Sequence, residues 1–473
     1  MPSDRTIHFV SLGCPKNRVD TEVMLGVSGL EGYRYEADAD KADVIVVNTC
    51  GFIGPAKEES VDTILQMSQL KEAGSCQTLV VAGCLSQRYP EQLAAEMPEV
   101  DHFLGTSDML RLGEVLKGPG RAPRMMVGNP ADHSIRATDP RIPSQGAHSV
   151  YVKIAEGCNR SCSFCAIPSF RGKQRSRPID DVVAECEKLI AGGAVELNLI
   201  SQDTISYGRD LKDGTSLATL VQRVAELPGA KWVRIFYLYP ETLKDDLIEL
   251  IAHHPRVLPY VDMPLQHASD RMLKIMRRGH GQDRQRRVVE RLKKDIPGLV
   301  MRSAFIVGHP GETDADFDEL LSFVQWADLD RVGVFKFSPE EETPSGKMDE
   351  LVAPKIANAR ARKLVAAQRP ISRRKVKALV GSEIEVLVEG SSEESDFLLR
   401  GRWWGQAPEI DGEVHLANGD ARPGEIRKAV VPAAADHDLV AAIADADGHL
   451  PEPPPDAKRP RKPRVQLRTF TSS

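Results

Sequence analysis

Cys158-Asn-Arg-Ser-Cys-Ser-Phe-Cys165 places three thiols on eight residues, separated by three residues and then by two. A tetrahedral zinc ion needs four ligands and ordinarily shows a second pair at matched spacing. After Cys165 the only thiol is Cys186, so a zinc knuckle here would need its fourth ligand from elsewhere. Three thiolates on one tight loop fit three irons of a cubane 4Fe–4S cluster and leave the fourth iron without a protein ligand, open to chelate a small molecule. Just upstream, residues 150–155 alternate as a strand that runs directly into the loop.

Working outward, strand and helix patterns alternate from 148 to 378, with strands expected at 150–155, 195–200, 231–237, 259–264, 300–307 and 331–337. Six such units make a partial (β/α)6 barrel rather than a closed eightfold one. Gln202 and Asp203, Gln266 and His267, and Gly308-His-Pro-Gly-Glu312 each follow a strand, the positions that line the active face of βα barrels. Gln202, Gln266 and Glu312 are therefore candidate cofactor contacts. His267 alone reads as a satisfied loop histidine, and Gly308 and Gly311 read equally well as turn glycines. Arg171-Gly-Lys-Gln-Arg-Ser-Arg177 brings four positive charges next to the cysteines. They could hold a cofactor carboxylate, face an anionic substrate, or simply be solvated. Cys186 falls on the apolar face of a helix over 179–191 and reads as structural.

Residues 5–117 form a smaller α/β unit of the doubly wound kind. Strands are expected at 6–12, 43–48 and 78–82. A helix from Asn17 would bury Val19, Val23, Val27 and Leu30, and one opened by Pro55 would bury Val61, Ile64 and Leu65. Cys14, Cys50 and Cys84 each lie just beyond the C-terminal end of one of these strands. In a parallel sheet those ends share one edge, where ligands bind, so three distant thiols converge and suggest a second cluster with an open iron. Buried core cysteines are the plainer alternative; Cys76 precedes its strand and is left out.

Prolines 119, 123, 130, 140 and 143 mark 118–147 as a linker. After a basic, helix-rich connector over 355–378, short alternating strands within 379–432 suggest a small β-barrel. Eleven acidic and five basic residues over 380–431 make it a poor phosphate binder and a better match for a basic protein. Residues 433–473 read as a disordered tail with a Lys/Arg-rich end that could touch RNA or simply solubilise the chain.

The whole chain, 473 residues with 62 basic and 68 acidic side chains, gives no global case for nucleic-acid binding. It shows neither a signal peptide nor a membrane-length apolar run. Eight cysteines are too sparse for a disulfide framework, so a reducing, cytoplasmic location is expected.

The cysteine loop, with Phe164 before its last thiol, resembles that of the radical S-adenosylmethionine superfamily. The order of the parts over residues 6–431 resembles the methylthiotransferases: a three-cysteine N-terminal domain, a radical barrel and a C-terminal TRAM domain. The family has a branch that modifies an adenosine derivative in tRNA and a branch that modifies an aspartate of the small-subunit ribosomal protein number twelve. Ser11-Leu-Gly-Cys-Pro-Lys-Asn17, Ser201-Gln-Asp-Thr204, Leu265-Gln-His267 and Ala407-Pro-Glu-Ile-Asp-Gly412 resemble the second. The resemblance implies two 4Fe–4S clusters and S-adenosylmethionine as cofactors. Cys158, Cys162 and Cys165 would hold the cluster that cleaves S-adenosylmethionine, and Cys14, Cys50 and Cys84 an auxiliary cluster that carries the sulfur. It also implies the aspartate β-carbon as the site of insertion, and a one-electron donor and a sulfur donor as partners. The tRNA-modifying activity is the alternative.

Overall fold

β-Branched runs at Thr6–Ser11, Val44–Thr49 and Thr78–Gly83 form the middle of an all-parallel sheet in the computed structural model, which describes residues 5–118, 120–144, 146–392, 395–417, 420–444 and 449. Across the sheet the strands run Arg34–Tyr35, Thr6–Ser11, Val44–Thr49, Thr78–Gly83, His102–Leu104, Met125–Met126. Every residue of Val44–Thr49 is buried. Its alternate side chains enter two cores: Val44 and Val46 pack with Val19, Val23 and Val27, while Ile45 and Val47 pack with Ile64 and Leu79. A strand covered on both faces reads as a continuous apolar run, which is why Val44–Val47 carries no alternation; the buried Asn48 and Thr49 that follow are hydrogen-bonded to Asn17, Thr21 and Ala82.

The helical stripes are narrower than the sequence suggests. In the helix Pro15–Leu30, Val19, Val23 and Val27 are buried but Leu30, its last residue, is 77% exposed. In Gly54–Ser68 only Ile64 of the expected three is fully buried; Leu65 is exposed because that helix lays a single line of side chains on the sheet. The expected linker is also partly built into the fold. Met125–Met126 adds the sixth strand, and Arg141 is buried between Glu22 and Glu185, 2.6 Å from a carboxylate oxygen of each.

All six strands expected in the larger unit are present: Ser149–Lys153, Glu196–Ile200, Trp232–Ile235, Val257–Asp262, Val300–Val307 and Arg331–Lys336. They pair in parallel in chain order, with no pairing between first and last, which gives an open partial barrel. The C-terminal part of the chain is different. Five strands close a barrel in the order Glu383–Ser392, Ser395–Trp403, Val414–Leu416, Leu439–Ile443, Ile426–Ala434. The last of these in the chain, Leu439–Ile443, corrects the expected tail: residues read as disordered from 433 onward supply the strand that pairs with both Val414–Leu416 and Ile426–Ala434. The Ala/Asp-rich composition of 433–446 hid a short β-strand whose buried face is Leu439, Ala441 and Ile443. The Lys/Arg-rich end expected at 458–468 lies outside the described residues.

This small barrel docks on the larger one through ion pairs that water does not reach. Glu196 takes Arg402 at 2.6 Å and Arg234 at 2.9 Å, and all three side chains are at most 3% exposed. Ser149 adds a hydroxyl at 2.7 Å, and Tyr260 donates to Asp411 at 2.7 Å. Ser149, Glu196 and Arg331, the last 3.9 Å from Asp411, open their strands, so the small barrel covers the edge opposite the cysteine loops. Burial by itself would raise the Glu196 carboxyl, but Arg402 and Arg234 outweigh it and hold the carboxyl down at about 2. A depressed carboxyl contributes stability that is complete above its unfolded value of 4.5 and is lost as pH falls toward 2. Glu196→Ala leaves the buried Arg234 without a carboxylate and Arg402 with Glu389 alone, so it is expected to cost about 3–5 kcal/mol. Urea denaturation of the variant and the parent at neutral pH measures this, and the gap should narrow as pH drops below the unfolded value.

Candidate metal centre at the junction of two cysteine sets

The loops that end the strands Thr6–Ser11, Val44–Thr49 and Thr78–Gly83 carry Cys14, Cys50 and Cys84 to one edge. Gly13 and Gly51 make the close approach possible. A Cβ on Gly13, which sits at φ +88°, would lie 2.8 Å from the Cys50 Cβ, and one on Gly51 would lie 2.8 Å from the Cys84 backbone. Any larger residue at either place would push the thiols apart. Burial pushes the Cys50 thiol up to about 12, and the nearby charges of Cys84 and Cys14 add to the rise. Burial likewise raises Cys84 to about 11, against the pull of Arg171. Thiols that crowd and repel one another as thiolates are stabilised by cations bound among them.

The second set sits on the loop after Ser149–Lys153. Cys158 donates its amide to the Gly172 carbonyl at 3.1 Å, and the Cys165 amide bonds the Cys162 carbonyl at 3.2 Å, which winds the loop tightly. Arg278 donates to the Cys162 sulfur at 3.3 Å, Tyr239 lies 3.4 Å from it, and the Arg160 amide points at the Cys158 sulfur at 3.4 Å. Arg160 and Arg278 flank the Tyr239 ring at 3.4 and 4.0 Å. Burial raises Cys158 to about 11 and Cys165 to about 12, with Cys162 contributing to both. Ser163 is tied to Ser345, which in turn meets His309 at 2.8 Å, so the far side of the barrel anchors the loop.

Each set offers three thiols, the all-sulfur donor set that three corners of a cubane cluster ask for, and among the described residues no group of three or more His, Cys, Asp or Glu side chains is arranged to hold a single metal ion. All eight cysteines are free thiols. Cys76 and Cys186 are buried in apolar cores, away from both sets.

The two sets are joined by Arg171, one of the four charges noted beside the cysteines, and by Asp20, Lys153 and Glu156, which the sequence did not single out. Cys84 packs with Ala166 and Phe170, from the segment after Cys165. Arg171, 2% exposed, reaches across and donates to the Cys84 sulfur from Nη2 at 3.1 Å and from Nε at 3.3 Å. The same guanidinium pairs with Asp20 at 2.9 Å and Glu156 at 3.4 Å and bonds the Asn17 amide oxygen. Lys153 closes the knot on Asp20 and Glu156, both at 2.6 Å. Burial opposes ionisation of Glu156, yet Lys153 and Arg171 hold it down at about 2. Of the four charges in 171–177, then, Arg171 reaches the first cysteine set, Arg175 donates to the Pro130 carbonyl and Ser134, Arg177 is buried on Glu185, and Lys173 is exposed. One signal was available: helix Pro15–Leu30 places Asn17, Asp20 and Thr21 on the stripe that meets the sheet, where apolar residues belong.

The expected cofactor contacts differ in how free they are. Gln202 donates to Glu156 at 2.6 Å, and its amide oxygen is buried with no partner, as is Oδ1 of the adjacent Asp203. Gln266 sits half-buried at φ +72°. Glu312 is committed internally: its oxygens take His267 at 3.2 Å, Arg360 at 2.8 Å and the Gly308 amide. His267 is satisfied on both nitrogens, as its sequence setting suggested.

Arg171→Ala would leave Asp20 and Glu156 underpaired and Cys84 without a donor. It is expected to cost about 3–5 kcal/mol and to shift the electron-paramagnetic spectrum of the cluster that Cys14, Cys50 and Cys84 would hold, while that of the cluster on the other loop is unchanged.

Three family descriptions match successive parts of the chain: the uncharacterized protein family UPF0004 over residues 6–105, the radical SAM superfamily over 152–324 and the TRAM domain over 380–443. A ribosomal protein uS12 methylthiotransferase RimO from Sorangium cellulosum (strain So ce56) is 61% identical over 449 residues, 94% of this chain and 92% of its own. One from Myxococcus xanthus (strain DK1622), of the same name, is 48% identical and covers 93% of this chain and 92% of its own. Among solved structures, the radical S-adenosylmethionine methyltransferase TsrM from Kitasatospora setae, with cobalamin and a [4Fe-4S] cluster bound, superposes with a TM-score of 0.52. At 15% identity over 72% of this chain and 77% of that one, it bears on the fold alone. Among the described residues no helix is long and apolar enough to cross a membrane.

Proposed function

The chain belongs to the ribosomal protein uS12 methylthiotransferase RimO family, and from that membership we infer that it adds a methylthio group to the β-carbon of an aspartate in protein uS12. It is a radical S-adenosylmethionine transferase with a TRAM domain. The observation that carries the reading is the pairing of two three-cysteine sets across one buried, charged knot. Cys158, Cys162 and Cys165 would hold the 4Fe–4S cluster that binds S-adenosylmethionine, and Cys14, Cys50 and Cys84 a second 4Fe–4S cluster. When bound, these groups supply one-electron cleavage of the sulfonium and the sulfur and methyl to be transferred, chemistry that no side chain here offers.

The protein's own part is to place and shield. Arg171 and Lys153, with Asp20 and Glu156, fix the distance between the two loops. Gln202 and Asp203 turn unpartnered oxygens inward as hydrogen-bond acceptors for a bound cofactor's amine or hydroxyls, and Gln266 is the second cofactor contact. Glu312 acts at one remove, holding the Gly308 turn and His267 in place. The acidic balance of the small barrel suits a basic ribosomal protein. A one-electron donor and a sulfur donor come from outside the chain, and a reducing cytoplasm is the fitting compartment. Anaerobically reconstituted enzyme given uS12, reductant and S-adenosylmethionine should yield uS12 carrying one added methylthio group on an aspartate, read by tandem mass spectrometry. Methylthio-adenosine on tRNA with uS12 untouched would overturn the assignment.

A further inference from the structure

Lys16 is 7% exposed, and its ammonium has no carboxylate, carbonyl or hydroxyl partner among the described residues. It rests on the face of the Tyr237 ring, 3.2 Å from the centroid. Its neighbours are spoken for. Lys153 and Arg171 are neutralised by Asp20 and Glu156, and Asp262 by Arg302 at 2.9 Å. Arg278 is the other buried cation here without a carboxylate, but it already donates to Cys162 and to the Pro264 carbonyl. Lys16 is therefore left without an oxygen anion of its own, and the opposite charge that acts on it most is Cys14, two residues before it. A cation kept from water is costly unless an anion joins it, and a ring face replaces only part of that interaction.

The ring beneath Lys16 is itself held in a costly conformation. Tyr237 sits at φ +59°, in the left-handed region that a bulky residue rarely adopts, with its amide on Asp262 at 3.2 Å. Strain of this kind persists where the surroundings enforce it, and it gathers at functional sites. Tyr237 follows the barrel strand Trp232–Ile235, while Lys16 opens the helix Pro15–Leu30 two residues after Cys14. The pair thus spans the seam between the two cysteine sets.

We propose that Lys16 receives the side-chain carboxylate of the target aspartate and is what selects aspartate over asparagine. The inference rests on the function given above, in which hydrogen is replaced on the carbon next to that carboxylate. An asparagine at the same place would leave the ammonium unpaired, and sites built to pair a charge reject the neutral isostere. Lys16 is a binding residue in this account and takes no proton.

The test is a binding cycle on cluster-loaded enzyme without reductant, using uS12 and its target Asp→Asn form. Parent enzyme should bind the aspartate form about tenfold or more tighter than the asparagine form. Lys16→Met should bind both forms alike, at the parent's asparagine level, with unchanged iron content. Lys16→Arg should recover part of the preference. Under turnover the methionine variant should show its loss mainly in KM. A Lys16→Met enzyme that keeps the parent's discrimination overturns the proposal, as does a parent with none. So does a variant whose iron–sulfur spectrum moves while discrimination stays, because Lys16 would then serve the cluster. A parent that neither binds nor modifies uS12 brings down the functional reading instead, and is told apart by the absence of product on the unaltered substrate.

Discussion

Alanine at Cys158, Cys162 or Cys165 is expected to abolish both products at once: no 5′-deoxyadenosine and no modified uS12. Supporting groups around metal ligands already cost about 10–100-fold when removed, so losing a ligand should exceed roughly 100-fold. The effect is not a matter of fold stability. Cys162 and Cys165 are only half-buried, and the loop is held independently by the bonds from Cys158 to Gly172 and from Ser163 to Ser345. Chromatography of the quenched reaction checks the nucleoside, and mass spectrometry checks the protein. A variant that still cleaved S-adenosylmethionine at the parent's rate would refute the assignment of this loop.

The other cysteine set should give the opposite split. Replacing Cys14, Cys50 and Cys84 together by alanine is expected to leave 5′-deoxyadenosine formation within a few-fold of the parent and to reduce methylthio transfer by more than roughly 100-fold. Iron should fall from about eight to about four atoms per chain, because one 4Fe–4S site is lost and the other kept. The retained half of the activity matters most, since it shows the barrel still folded. If methylthio transfer persisted in the triple variant, the three strand-end thiols would be no more than core cysteines. The Arg171 variant should fall between these extremes, because it disturbs the sulfur of Cys84 without removing it.

Much of this is legible in the sequence alone. A short, β-branched apolar run such as Val44–Val47 reads as a strand covered on both faces, and a thiol placed just past each of three such strands falls at one edge of a parallel sheet. Those two facts locate Cys14, Cys50 and Cys84 together. The spacing of Cys158, Cys162 and Cys165 is local, so it needs no fold at all. What stayed hidden depends on contacts between distant segments. Arg171 sits in a basic run that reads equally well as solvent-facing, and only packing of the segment after Cys165 on Cys84 turns its guanidinium inward. Glu196 opens a strand, where a charge is ordinary; its burial depends on Arg402, 206 residues later. The strand Leu439–Ile443 failed for another reason. Five residues beside an Ala/Asp-rich stretch carry too little pattern, and their place is set by two partners already waiting for a neighbour.

That late strand has a consequence for how the molecule is made. Leu439–Ile443 lies between Val414–Leu416 and Ile426–Ala434 in space although it follows both in the chain. Until it emerges during synthesis, both of those strands present open edges that invite pairing with other chains. A polypeptide cut at Pro432 would carry that hazard permanently, with an unsealed barrel as the partner for Glu196. Its fate in a cell would then be decided by aggregation and proteolysis rather than by any loss at the cysteine loops.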